Sequence, residues 1–110
     1  MGTTTPQQEQ ALEKGKQLLK DLVAGQYEAI HGTFDKAMSE MMPVEGVSAT
    51  WAQIQLQAGK FQELVSSKVV TQEGHDIVLL TLKFERGSLL NRLVYSPEGK
   101  LAGLHFAPKD

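Results

Sequence analysis

Residues 76–85 read Asp76-Ile77-Val78-Leu79-Leu80-Thr81-Leu82-Lys83-Phe84-Glu85, and this run decides the fold. Val78, Leu80, Leu82 and Phe84 recur at every second position, so on a strand they share one face. That face predicts a sheet surface covered by helices. The opposite face starts apolar with Ile77 and Leu79 and turns polar at Thr81, Lys83 and Glu85. A strand apolar on both sides at one end is covered on both sides. The chain has no second helical layer for this, so the expected cover is another copy of the sheet, a homodimer.

Outward from this strand the same period of two continues. Strands are expected over residues 61–72, 76–85, 89–95 and 101–107. The links between them, Glu73-Gly74-His75, Arg86-Gly87-Ser88 and Ser96-Pro97-Glu98-Gly99, are too short for anything but antiparallel neighbours. Before Gly59 the period is helical. Ala11, Leu12, Leu18, Leu19, Leu22 and Val23 mark a helix over 7–24, closed by Gly25. Tyr27, Ile30, Phe34, Met38 and Met41 mark a second over 27–41, ended by Pro43 and Gly46. A third starts near Ser48 or Thr50, with Thr50 and Gln53 at capping-box spacing and Trp51, Ile54 and Ala58 inward. The expected class is α+β, three N-terminal helices packed on a four-stranded antiparallel sheet. One domain is expected over 9–110, with 1–8 as a disordered tail in which Met1-Gly2 reads as an added start. The stop after Pro108-Lys109-Asp110 suits a domain taken from a longer protein.

Composition narrows the function classes. The 110 residues carry 11 Lys plus Arg against 13 Asp plus Glu, a net charge of −2. A duplex binder needs a cationic surplus, so nucleic acid is not an expected partner. With no cysteine, disulfides, thiolate nucleophiles and cysteine-ligated zinc are excluded. No apolar run approaches the ~20 residues of a membrane span. Residues 1–8 lack the basic and apolar regions of a secretory signal.

The run Gly25-Gln26-Tyr27, the segment Phe34-Asp35-Lys36-Ala37-Met38, the Trp51 helix ending Ala58-Gly59-Lys60-Phe61, and the closing Pro97-Glu98-Gly99-Lys100-Leu101-Ala102-Gly103-Leu104 resemble one bacterial family, domain of unknown function 3887. The resemblance spans about residues 12–108. It implies membership of the nuclear transport factor 2-like, or cystatin-like, superfamily. That membership implies a curved sheet wrapped around helices as a cone, an apolar cavity at the open end, and dimers formed through the outer sheet face. It also implies an extracytoplasmic setting and, in some members, a neighbouring α/β-hydrolase domain. Fold analogy alone carries no activity.

Candidate chemistry is sparse. His31 adjoins the Ile30–Phe34 stripe and is the first candidate for an acid or base in a cavity; a hydrogen-bonded structural histidine is the bland alternative. His75 sits in a turn, and His105 alternates with Leu104 and Phe106, which points it outward or into the dimer face. The spacing of the three predicts no metal site. The carboxylates Asp21, Asp35, Asp76, Glu85 and Glu98 fall in turns or on helix exteriors, so an isomerase of the ketosteroid type lacks its base. No serine lies in a nucleophile elbow, no glycine-rich phosphate loop is present, and no cofactor is expected. The cavity candidates are Tyr27, His31, Phe34, Trp51, Phe61, Phe84, Arg92 and Tyr95, and the dimer-face candidates are Ile77, Leu79 and His105. Arg92 would pair with an anionic ligand if it faces inward and would solvate the sheet if outward. The leading expectation is a non-catalytic accessory and dimerisation module with a cavity for a small apolar ligand. The alternative is a small lyase or isomerase acting inside that cavity.

Overall fold

The computed structural model describes residues 4–109. Helix α1 spans Pro6–Ala24. Thr5 caps it by accepting from the Gln8 backbone amide, while the Gln8 side chain accepts from the Thr5 amide, so two otherwise orphaned donors are satisfied reciprocally. Residues 6–8, expected in the tail, are therefore the first turn of a helix; residues 1–3 lie outside the described residues. Gly25 ends α1 in the left-handed region at φ 78°. Ala11, Gly15, Leu18, Leu19 and Leu22 form its buried stripe.

The expected helix over 27–41 divides in two, α2 at Tyr27–His31 and α3 at Lys36–Met41. The interruption has a physical cause in the sheet. The Leu101 amide donates to the Thr33 carbonyl at 2.8 Å and the Asp35 amide donates to the Leu101 carbonyl at 2.9 Å, so the chain here pairs with a strand instead of continuing its helix. Asp35 restarts the helix as its N-cap, accepting from the Met38 amide at 2.7 Å. The inward positions Ile30, Phe34 and Met38 survive the break and are all buried. Helix α4 spans Val44–Ala58 and begins directly after Pro43, so neither Ser48 nor Thr50 serves as its cap and Gly46 lies within it.

Four strands follow: β1 Phe61–Gln72, β2 His75–Phe84, β3 Gly87–Tyr95 and β4 Leu101–Lys109. They form one antiparallel sheet in the order β1-β2-β3-β4. The α+β class and the meander are as the periodicity predicts, with four helices in place of three. Val78, Leu80, Leu82 and Phe84 are at most 1% exposed and meet the helices. Trp51 stacks at tilted angles against Phe61, Phe84 and Phe106, with centroids 6.1, 5.7 and 6.3 Å away, tying α4 to β1, β2 and β4. Asn91 is a fully buried polar residue within this inner face. Its Nδ2 donates to the His105 carbonyl at 3.0 Å, and its buried Oδ1 has no partner among the described residues.

Candidate functional site

The sequence-predicted residues separate into four places. Phe34 is buried, with the His31 ring 5.2 Å from it; His31 Nε2 lies 3.3 Å from the Ser39 carbonyl, a contact between α2 and α3. Tyr27 is half-buried against the same core. Trp51 and Phe61 line an apolar groove between α1 and α4, with Phe84 behind them at 1% exposure. Arg92 is exposed and in register with Leu79 on one side and His105 on the other, which settles its orientation: it stands on the outer sheet face, opposite Asn91 and Leu93. Tyr95 lies in the wall of a cleft at the far end of the sheet.

That cleft is the more chemically equipped of the recesses. Its larger lobe, about 360 Å³, runs between α1, α2 and the turn joining β3 to β4, with Leu18, Ile30, Thr33 and Tyr95 in its walls. A second lobe of about 300 Å³ continues past Lys14 and is walled by Gln7, Gln10, Asp76, Tyr95 and Glu98. Lys14 Nζ stands where the lobes meet and donates to the Gly99 carbonyl at 3.1 Å. Ser96-Pro97-Glu98-Gly99 builds the rim: the Ser96 amide donates to the Lys100 carbonyl at 2.8 Å and the Gly99 amide donates back to the Ser96 carbonyl at 2.8 Å. Gly99, at φ 81°, supplies the left-handed step that closes this turn.

Asp76 is a cleft residue that the sequence reading placed in a turn. It is 3% exposed and shares the inward face of β2 with Val78, its cross-strand partner being Tyr95. Its Oδ1 accepts from Thr71 Oγ1 at 2.7 Å, and Thr71 Oγ1 in turn accepts from Gln8 Nε2 at 2.7 Å, so the first turn of α1, β1 and β2 are joined behind the carboxylate. The signal was present in parity: Asp76 precedes Val78, Leu80, Leu82 and Phe84 by even steps. Tyr95 is 2% exposed, and burial pushes its phenol well above the ordinary tyrosine range, so it stays protonated as a hydrogen-bond donor. A carboxylate and a neutral phenol side by side in a cleft offer one acceptor and one donor to a small polar ligand. Among the described residues no group of three or more His, Asp or Glu side chains is arranged to hold a metal ion, and no helix is long and apolar enough to cross a membrane.

A split helical layer over an open antiparallel sheet, with recesses at both ends, defines a small α+β domain. The chain belongs to the family described as Protein of unknown function (DUF3887), whose model matches residues 15–104. It is also 26% identical over 88 residues to Esterase EstD of Thermotoga maritima. That alignment covers 80% of this chain and 21% of the esterase. No solved structure matches.

Proposed function

We propose that this domain is an accessory module that works by binding, in a protein whose catalysis belongs to a separate hydrolase domain. The observation that carries this reading is the proportion of the match: most of this chain corresponds to about a fifth of an esterase, which leaves the greater part of that enzyme to hold its chemistry. The open sheet behind a helical layer supports a nuclear transport factor 2-like cone, and its outer face, with Leu79, Leu90 and Val94 half-buried, supports a homodimer. Native mass spectrometry of the gently purified chain, followed by the denatured sample, tests the binding role. A dimer or a co-purified small molecule is the expected result. A bare monomer that hydrolyses simple aryl esters would overturn it.

The Asp76–Tyr95 pair favours one second reading, a lyase or isomerase acting in the cleft. Asp76 supplies the inward carboxylate such a mechanism needs as its base, and Tyr95 supplies a donor for a developing enolate. His31 is held by Ser39 and Phe34 instead. Deuterium exchange into a panel of enolisable ketones and acids, followed by NMR, tests it. On this reading Asp76→Asn slows exchange by roughly 100-fold or more, and equal rates in the two proteins would sink it.

A further inference from the structure

Around α1 from the cleft, toward the Phe61–Phe84 end of the sheet, two apolar recesses of about 480 and 570 Å³ adjoin, sharing Val23 and Phe61. Trp51 and Phe61 form the floor, and Leu19 and Leu64 continue it toward β1. Val23 and Leu56 stand at the edge and are 55% and 73% exposed, an unusual position for two large apolar side chains on facing helices. The charges around this groove are not balanced. Lys16 and Lys20 on α1 and Lys60 before β1 line it, against Glu13. Glu85 sets a second carboxylate beside Lys60, its Oε1 accepting from the Lys60 backbone amide at 2.8 Å, so the cationic excess lies at Lys16 and Lys20.

Lys16 and Lys20 lie one turn apart on one helix face, where like charges cost helix stability by a few tenths of a kcal/mol. An anion between them removes that cost. The whole chain is net negative, so this cationic rim is a local feature. We propose that the groove binds a carboxylate amphiphile: the acyl chain lies over Trp51 and Phe61 between the lips Val23 and Leu56, and the carboxylate is held by Lys16 and Lys20. Recesses of this size accept small ligands with a medium-length chain. The site is separate from the Asp76–Tyr95 cleft and does not rest on the accessory reading.

Trp51, the chain's one tryptophan, reports on the site directly. The experiment titrates the purified protein with octanoate, decanoate and dodecanoate below their micelle concentrations and follows tryptophan emission. Decanol and decyltrimethylammonium serve as head-group controls. The expected result is saturable binding that tightens roughly two- to fourfold per added methylene and favours decanoate over both controls. Lys20→Glu should weaken decanoate about tenfold and leave decanol unchanged, while Leu56→Ser should weaken both. Both positions are exposed, so the variants fold; circular dichroism checks this. No saturable response, equal binding of the cationic control, or indifference to Lys20→Glu each overturns the proposal.

Discussion

Tyr95 and Asp76 occupy facing positions on neighbouring strands. The Tyr95 phenol is pushed up from its ordinary value of 10.0 by desolvation. The consequence for stability has a definite sign. Above about pH 10 the unfolded chain gives up the phenolic proton while the folded chain retains it, so folding stability falls as pH rises through that range. Below it the contribution is intact. Thermal melts between about pH 8 and 11 should therefore show a steeper alkaline loss of Tm for the native protein than for Tyr95→Phe. Parallel curves would mean that Tyr95 ionises as freely in the fold as in the unfolded chain. Phe at this position also keeps the ring packing, which isolates the hydroxyl from the cavity cost of a larger truncation.

On the scale of elements, the decisive contact is α1 against the sheet, and Gly15 sets its closeness. A Cβ at this position would lie 2.9 Å from Val78 Cγ1 and 3.1 Å from Leu93 Cδ1. In a free helix Gly→Ala gains up to about 1 kcal/mol. Here the methyl has to displace two fully buried side chains, so the sign reverses and Gly15→Ala is expected to cost about 1–3 kcal/mol. Urea denaturation checks this, and a stabilised variant would show that the helix can lift without loss. The same scale shows what periodicity could and could not reveal. The strands and α1 were legible because each buries one face along its whole length, and a period is the direct imprint of that. The break after His31 was not, because Tyr27, Ile30, Phe34 and Met38 keep helical spacing across it while the interrupting partner, Leu101, lies some 70 residues away. The start of α4 was misplaced for a related reason: Pro43 reads as a terminator of what precedes it, and equally suits the residue just before a helix. Asp76 was legible by parity, but its place beside a turn masked that parity; the cleft itself depends on three segments whose meeting no local pattern records.

For the whole molecule, the proposed homodimer is tested at the outer sheet face. Ile77 is only 5% exposed in a single copy, between Val70 and Val94 across the strands, so the part of the apolar surface left for a partner shifts toward Leu79, Leu90 and Val94. The next row reads Lys68, Leu79, Arg92, His105 across the sheet. Two copies packed face to face through this row bring like charges together around an apolar centre. Association is then driven by apolar burial and opposed by repulsion, and added salt screens the repulsion, shortening the Debye length from about 10 Å at 0.1 M to about 3 Å at 1 M. The dimer should accordingly tighten as salt rises, the reverse of an interface built on ion pairs. Sedimentation equilibrium at about 0.05 and 0.5 M sodium chloride measures this, with Leu79→Lys as the companion variant, expected to be monomeric at both. A dimer that survives Leu79→Lys would be formed through another surface. A native chain that stays monomeric at both salts would leave the outer face free, with its cationic row available to an acidic surface of a neighbouring domain.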